Sequence, residues 1–259
     1  MSVYLSLAGK SALISGGSRG IGAATVRMFA AAGAKVVFSY QQAKDAAEKL
    51  ARECGSDCSA VQWDLNSPEA ARGLVEVAVQ RLGKLDVLVA NHGIWAAEDV
   101  PIENMTAEQW RRTTAVNLDS VFGLVKHAVA HMKRQPRSGT AAGHIVLVSS
   151  SSGQIGEAMH VDYAATKGAL ISMVKGLSPE LAPGGIYINC VAPGWVETEL
   201  VAPALGKAEK RQRIEQEIPL GRLGKPEEIA AGILFLCSEH AGFVTGEVLN
   251  INGGEALVG

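Results

Sequence analysis

Short apolar runs alternate with longer segments of helical period along the whole chain. Most of these runs are continuously apolar, which is typical of strands buried on both faces of a sheet. The seven strand candidates are Ser11–Ser15, Lys35–Ser39, Ala60–Trp63, Asp86–Ala90, His144–Ser149, Tyr187–Val191 and Val248–Ile251. Strands and helices in alternation predict βαβ units with right-handed crossovers, and therefore a parallel sheet.

Two of the intervening segments carry clear helix signals. Ile21–Ala32 has apolar residues at helical spacing and ends at Gly33, while Pro68–Leu82 follows a serine and ends at Gly83. A serine before a proline and a glycine after the last turn are typical start and stop signals. No composition break, linker or repeat divides the chain, so we expect one α/β domain over residues 1–259.

The composition excludes several classes of protein. The 259 residues are 47% hydrophobic with a net charge of −2, which excludes disorder and disfavours a nucleic-acid binder that relies on bulk charge. No apolar run approaches the roughly 20 residues of a membrane span, and the N-terminus lacks a signal-peptide pattern. The four cysteines form neither CxxC pairs nor a metal pattern with histidine. We therefore expect a cytoplasmic protein with reduced thiols, no membrane or nucleic-acid partner and no metal.

A glycine-rich segment, SGGSRGIG, directly follows the first predicted strand and places glycines at 16, 20 and 22 before a helix. Such a turn directs backbone N–H groups and the positive end of the helix dipole at a phosphate. An ordinary tight turn is the alternative, but the position at the first β–α junction favours a dinucleotide site. A nucleoside-triphosphate loop is excluded because no Gly-Lys-Ser/Thr follows the glycines.

The end of the second predicted strand indicates which dinucleotide binds. An NAD site usually has an acid about 20 residues after the glycines, to hold the ribose 2′-hydroxyl. Here residues 38–42 read Phe-Ser-Tyr-Gln-Gln and contain no carboxylate. Arg19, inside the glycine loop, can pair with a 2′-phosphate, although a solvated loop charge is the alternative. The pattern favours NADP(H) over NAD(H).

A second group of residues has the composition of a proton-transfer site. Tyr163 and Lys167 are four apart, so on a helix the phenol and the ammonium share one face. The ammonium is expected to lower the pKa of the phenol, which suits proton exchange with an alcohol or a ketone. Ser150 lies just past a predicted strand, where its hydroxyl can bond a substrate oxygen, although a serine cluster that simply ends the strand is the alternative.

Three further polar residues are each explained by a local structural role. Asn91 and Asn117, taken singly, are typical of caps and turns, and His92 is expected to pack locally because no second metal ligand accompanies it. Serine hydrolase chemistry is disfavoured because the chain has no GxSxG nucleophile elbow.

Together these residues resemble the short-chain dehydrogenase/reductase family, from Lys10 almost to the C-terminus. The matching stretches are SGGSRGIG, Asp64, ANHG, Asn117, the Ser150–Tyr163–Lys167 set, Val191–Gly194 with Thr198, and VTGEVLNINGG. Among subgroups the chain looks most like 3-oxoacyl-(acyl-carrier-protein) reductases and related sugar or steroid-type reductases. The resemblance implies a Rossmann-type doubly wound parallel sheet of about seven strands, helices on both faces, and a homotetramer.

The resemblance also implies a role for each matching residue. Tyr163 would be the general acid/base, Ser150 would orient the carbonyl, Lys167 would hold the nicotinamide ribose, and Asn117 would anchor a relay water. The implied cofactor-binding residues are Gly16, Ser18, Arg19, Gly20, Ile21, Gly22, Ser39, Tyr40, Asp64, Leu65, Asn91, Gly93, Tyr163, Lys167, Pro193, Gly194, Val196 and Thr198. The implied activity is reduction of a ketone to a secondary alcohol, and the alternative is a catalytically idle NADP(H)-binding regulator.

The substrate side is less well defined by the sequence. Residues 195–219 occupy the position of a substrate lid, and the expected pocket residues are Trp95, Ser150, Gln154, His160 and Trp195. Pro179 stands where carrier-protein reductases often have an arginine, and it is expected to break or kink the tyrosine helix. That makes an acyl-carrier partner doubtful and a small carbonyl or alcohol substrate the expectation. The cations that could still form a docking patch are Lys133, Arg134, Arg137, Lys207, Lys210, Arg211 and Arg213, although the first three also suit a helix C-terminus.

Overall fold

One seven-stranded sheet runs through the computed structural model, which describes residues 4–135 and 141–258. Its strands are β1 (Ser11–Ser15), β2 (Lys35–Tyr40), β3 (Cys58–Gln62), β4 (Val87–Ala90), β5 (Gly143–Val148), β6 (Ile186–Pro193) and β7 (Val248–Ile251). They lie in the order β3-β2-β1-β4-β5-β6-β7, and every neighbouring pair is parallel. The predicted parallel α/β fold is confirmed.

Helices cover both faces of this sheet. They are α1 (Gly20–Ala31), α2 (Lys44–Cys54), α3 (Pro68–Leu82), α4 (Ala107–Thr114), α5 (Ser120–Met132), α6 (Ser152–Ile155), α7 (Val161–Leu181), α8 (Ala208–Glu217) and α9 (Pro226–Cys237). The apolar side chains of α3, α5 and α7 pack on one face, and those of α1, α2 and α9 pack on the other. Two cores therefore sandwich the sheet.

The strands are apolar throughout because both of their faces are buried. In β5, Ile145 and Leu147 belong to one core, while Val146 and Val148 belong to the other. Successive side chains of a strand point to opposite faces, so a strand between two helical layers has no polar side. This explains why short apolar runs were a sufficient signal for the central strands.

Strand boundaries differ from the sequence prediction mainly in β3 and β6. β3 begins at Cys58 rather than Ala60 and ends at Gln62, because its partly exposed edge position admits polar residues such as Ser59. β6 extends to Pro193 because it bonds β5 on one side and β7 on the other. The first strand and α3 have the predicted bounds.

The expectation that Pro179 breaks the tyrosine helix is wrong. Helix α7 continues through Pro179 to Leu181. A proline inside a helix lacks the N–H that would bond the carbonyl four residues earlier. Because Pro179 lies in the final turn, little helix remains beyond it to be disrupted.

The order of the strands fixes where a ligand can bind. The connections run outward from β1 towards β3, and then return to the other side of β1 at β4. In open parallel sheets the crevice at the carboxyl ends of the strands, where this reversal occurs, is the ligand site. The loops that follow β1, β4 and β5 meet at this edge.

Candidate active site

The glycine loop joins β1 to α1, and its conformation requires glycine. Gly16 and Gly20 have φ of +65° and +50°, which residues with a side chain rarely adopt. A Cβ on Gly22 would overlap the carbonyl oxygen of Gly16. The amide of Gly17 donates to the Ser39 carbonyl oxygen at 2.8 Å and ties the loop to β2. The loop thus presents backbone amides beside the amino end of α1, as phosphate binding requires.

Asn91 and His92, at the end of β4, support this loop. The Asn91 amide donates to the carbonyl oxygens of Ser15 and Gly16 at 3.1 and 3.0 Å. The His92 ring lies between two hydroxyls, with Nδ1 2.7 Å from Ser15 Oγ and Nε2 2.7 Å from Ser120 Oγ. Burial lowers the pKa of His92 to about 3, so the ring is neutral at pH 7. His92 therefore has a local packing role, which links the loop to α5.

The carboxyl ends of β2 and β3 form the side of the site next to the glycine loop. No carboxylate stands at the end of β2, where Gln41 instead donates to Asp64 at 2.7 Å. Asn66 donates to the second oxygen of Asp64 at 2.9 Å. Arg19 is exposed, and within residues 4–135 and 141–258 no ion pair involves it. A guanidinium is thus available beside a strand end that lacks an acid.

Ser150, Tyr163 and Lys167 come together at the carboxyl end of β5. Ser149 Oγ donates to the Lys167 carbonyl oxygen at 2.8 Å, and Lys167 Nζ donates to the Val148 carbonyl oxygen at 2.8 Å. These two bonds fix α7 against the end of the strand. The ammonium lies 5.5 Å from the centre of the Tyr163 ring. The spacing of four thus brings phenol and ammonium to one face, as the sequence predicts.

The expected lowering of the Tyr163 pKa is wrong for this structure. Burial raises the pKa of Tyr163 to about 12, a hydrogen bond with Ser150 opposes the rise, and the charge of Glu157 adds to it. Burial also lowers the pKa of Lys167 to about 8. The ammonium is directed at Val148 rather than at the phenol, so desolvation dominates.

Asn117 lies in a π-helical turn, Ala115–Asp119, between α4 and α5. Its Oδ1 accepts from the Ile94 amide at 2.8 Å, and its Nδ2 donates to the Ile94 carbonyl oxygen at 2.9 Å. The side chain is fully buried. A π turn inside a helix often marks a functional site. Here it holds Asn117 beside the segment that follows β4.

One cavity of about 640 Å³ connects these parts. It is lined by every predicted cofactor residue except Gly22, which lies under the loop, and by Ser150 as well. Asn117 is buried beside it rather than lining it. Gln41, Asn66 and Arg112 also line the cavity and were not predicted, because they lie outside the recognised motifs. For Asn66, the feature of the sequence that could have indicated a site residue is its position two residues after Asp64.

The predicted substrate residues fall into two groups. The Trp95 ring lies 4.8 Å from the His160 ring and 6.0 Å from the Trp195 ring, so these three form one cluster. Gln154 is directed elsewhere, since its Nε2 donates to Asn250 Oδ1 on β7 at 2.7 Å. Glu157, which the sequence analysis missed, accepts from Trp95 Nε1 at 3.1 Å. No motif covers Glu157, because it stands in the connection between α6 and α7.

The lid segment, residues 195–219, has its own small core. Ile214, Ile218 and Leu223 form a buried cluster against which Trp195 and Leu205 pack. Its closure over a substrate stays a prediction.

The cations considered for a docking patch do not gather at the opening. Lys133 and Arg134 follow α5 and precede β5, so they lie at the amino edge of the sheet, opposite the site. Arg211 pairs with Glu197 and Glu215, and Arg213 with Glu217 at 3.0 Å. Arg137 lies outside the described residues. Among the described cations of this set, only those of the lid follow the carboxyl end of a strand, and both lid arginines are already paired.

The sequence predicts reduced thiols, no metal site and no membrane-spanning segment. All four cysteines are free thiols. Across residues 4–135 and 141–258, no group of histidine, cysteine and acidic residues is placed to hold a metal ion. In the same ranges no helix is both long and apolar enough to cross a membrane. The cytoplasmic location stays a prediction.

Comparison with known proteins gives the short-chain dehydrogenase/reductase family over most of the chain. The family model described as "Enoyl-(Acyl carrier protein) reductase" matches residues 16–255. The chain is 37% identical to 3-oxoacyl-(acyl-carrier-protein) reductase FabG of Aquifex aeolicus (strain VF5), over 96% of this chain and 98% of that one. It is 39% identical to an acetoacetyl-CoA reductase of Shinella zoogloeoides, over 95% and 98%.

A solved structure agrees with these sequence matches. The 3-ketoacyl-(acyl-carrier-protein) reductase of Brucella melitensis, complexed with NADH, superimposes with a TM-score of 0.90 at 34% identity. The match covers 97% of this chain and 100% of that one. Sequence, fold and site geometry therefore agree that the chain belongs to the short-chain dehydrogenase/reductase family and is an oxidoreductase that uses a nicotinamide cofactor.

Proposed function

We propose that this enzyme reduces a ketone, of the 3-oxoacyl or a related type, to a secondary alcohol with NADP(H). The observation that carries the proposal is that Ser150, Tyr163 and Lys167 line the same cavity as the glycine loop. A hydroxyl pair that can bind a carbonyl oxygen thus adjoins a site for a dinucleotide. The relatives named above as 3-oxoacyl and acetoacetyl-CoA reductases support a carbonyl substrate of this kind.

The cavity suits a dinucleotide in shape and in chemistry. The glycine loop would hold the pyrophosphate, with Asp64 and Leu65 at the adenine end and Lys167 at the nicotinamide ribose. The Gly22 position, where a Cβ would collide with the Gly16 carbonyl oxygen, keeps the loop packed closely on the start of α1, which supports a phosphate site at this helix end. When bound, the nicotinamide supplies the hydride that the carbonyl carbon receives.

Tyr163 supplies the proton for the carbonyl oxygen. With a pKa of about 12 the phenol is protonated at neutral pH, which is the form that an acid for reduction needs. Its hydrogen bond with Ser150 places two hydroxyls where one carbonyl oxygen can bind both. Ser150 therefore orients the ketone, and Tyr163 transfers its proton as the oxygen gains charge.

Lys167 and Asn117 support the phenol. Lys167 Nζ donates one N–H to the Val148 carbonyl oxygen, and its other two N–H groups can bind other partners, such as the ribose hydroxyls. Asn117 fixes the Ile94 segment through both atoms of its amide. The proposed relay of protons through Lys167 towards Asn117 would return the proton that Tyr163 gives up.

The preference for NADP(H) rests on charge at the strand ends. Ser39, Tyr40 and Gln41 end β2 without a carboxylate, and exposed Arg19 lines the same cavity. An arginine can form two parallel hydrogen bonds with a phosphate, while the end of β2 itself carries no acid to repel it.

The direct test is consumption of NADPH with a panel of simple ketones and 3-oxoacyl thioesters. We expect reduction of at least one class by the wild-type enzyme and none by Tyr163→Phe. A wild-type protein that binds NADPH and reduces nothing on the panel would support the idle NADP(H)-binding regulator instead.

We also propose a homotetramer, assembled through helix faces and the C-terminal strand. Phe122 on α5 and Trp110 on α4 are large apolar side chains that are 47% and 42% exposed. Phe243 and Leu257, which flank β7 in the chain, are more exposed still. Burial of such patches is a typical driving force for assembly. Analytical ultracentrifugation should find four chains, and a monomer would contradict this assembly.

A further inference from the structure

The catalytic serine has an unexpected acidic neighbour. Ser150 Oγ donates to Ser152 Oγ at 3.2 Å, and Ser152 Oγ donates to Glu157 Oε2 at 2.6 Å. The carboxylate is therefore two hydrogen bonds away from the hydroxyl that orients the ketone. Burial raises the pKa of Tyr163, and the charge of the Glu157 carboxylate adds to that rise.

Glu157 is held in this place by several contacts. Its second oxygen, Oε1, accepts from Trp95 Nε1 at 3.1 Å and lies 4.0 Å from His160 Nε2. The side chain is only 20% exposed. A charge that is fixed and largely removed from water acts on its surroundings more strongly than a surface charge does.

Two cations of the chain have partners other than Glu157. Lys167 donates to the Val148 carbonyl oxygen, and Arg213 of the lid pairs with Glu217. Another acid, Glu255, accepts from Ser151 at 3.1 Å. Burial is the main cause that raises the pKa of Glu255, and the charge of Glu157 adds to the rise. Arg112 lines the cavity, so it is the cation that could attract an anionic substrate there.

We propose that Glu157 is a specificity-determining residue that restricts the enzyme to ketones with no anionic group next to the reacting carbonyl. This rests on the proposed function, because it takes Ser150 and Tyr163 as the groups that bind the carbonyl. A carboxylate on the substrate would be brought close to the carboxylate of Glu157 with little water between them, and the repulsion disfavours binding. An uncharged substituent meets no such barrier, and the Trp95 and Trp195 rings offer it apolar contact.

The test compares acetoacetate with acetoacetamide, two ketones of the same size that differ in charge. For the wild-type enzyme we expect kcat/KM to favour the amide by at least about a hundredfold. Glu157→Gln keeps the size of the side chain and removes its charge, so the preference should fall by about tenfold or more. Glu209→Gln, on the exposed side of α8, removes one charge from the lid and should leave the ratio unchanged.

Ser152→Ala separates the charge from the hydrogen-bond chain. This variant keeps Glu157 but cuts its link to Ser150, so the amide preference should remain even if kcat falls. Retained NADPH binding shows that each variant folds, and the wild-type ratio tests the inference even if Glu157→Gln does not fold.

Three results would overturn the inference. Equal reduction of the acid and the amide by the wild-type enzyme would refute it while leaving the proposed ketone reduction intact. A preference for the acid that Arg112→Gln abolishes would show that Arg112, not Glu157, sets the charge selectivity. Failure to reduce either compound or any other ketone would remove the proposed function, and this inference with it.

Discussion

The two ends of the proposed site are built in different ways. The cofactor end consists of strand ends, glycines and backbone amides, such as the Gly17 amide on Ser39. The proposed substrate end consists of side chains from separate connections, with Trp95 after β4, Glu157 before α7 and Trp195 after β6, and none of these three residues lines the cavity of about 640 Å³. Backbone geometry leaves a motif in the sequence, whereas side chains that meet across connections leave none. We therefore expect the reaction class to follow from the cofactor end and the choice of substrate from the other.

The largest expected effect lies where the two ends meet, at Tyr163. Removing the phenolic hydroxyl in Tyr163→Phe should lower kcat by a factor of about a thousand or more, because general acid catalysis contributes about 10²–10⁴-fold. Cofactor affinity should be nearly unchanged, since the ring is kept. Steady-state rates and NADPH titrations measure the two quantities. Tyr187→Phe, which removes a hydroxyl on β6, is the matched control, and turnover within tenfold of wild type would exclude Tyr163 as the acid.

The sequence contains more information about the cofactor end than about the substrate end. SGGSRGIG and the spacing of Tyr163 and Lys167 predict a glycine loop and a Tyr–Lys pair that line one cavity in the structure, because local backbone conformation decides them, and their roles stay predictions. The direction of the Tyr163 pKa was wrong, since burial is a property of the folded chain and outweighs a spacing of four. Glu157 was missed for a related reason: its partners Trp95, after β4, and Ser152, at the start of α6, lie in different parts of the fold.

The next effect tests the cofactor end alone. A charge-assisted hydrogen bond to phosphate contributes about 1.5–3 kcal/mol, or about tenfold to a hundredfold in affinity. Arg19→Ala should weaken NADPH by that factor and leave NADH almost unaffected, as measured by dissociation constants for both. Arg27→Ala, on the helix that follows the glycine loop and paired with Glu53 at 3.4 Å, serves as the control. Equal losses for both cofactors would mean that Arg19 shapes the loop rather than binding a phosphate.

A smaller effect concerns the support beneath the glycine loop. The pKa of His92 falls from 6.5 to about 3 on folding, so the unfolded chain binds a proton more readily than the folded one. The contribution of His92 to the free energy of unfolding is therefore fully present above about pH 6.5 and is lost as the pH falls towards about 3. The loss assigned to His92 between about pH 7 and pH 5 is about 2 kcal/mol.

His92→Gln should remove that part of the pH dependence, although the neutral amide is expected to lower stability at pH 7. Urea unfolding at several pH values measures both quantities. His144, whose pKa burial lowers to about 4, provides a matched site away from the loop in His144→Gln. An unchanged pH slope in His92→Gln would show that the imidazole is not the group that titrates.

The smallest expected effect is the response to an acyl carrier protein. Such carriers are strongly acidic, and docking one needs unpaired cations beside the opening. Lys133 and Arg134 lie at the opposite edge of the sheet, and Arg211 is paired with Glu197 and Glu215. For the same 3-oxoacyl group on a short thiol and on a carrier protein, we therefore expect kcat/KM values within about tenfold. An advantage above about a hundredfold for the carrier, lost as salt screens the charges, would show that Lys207 and Lys210 of the lid suffice for docking.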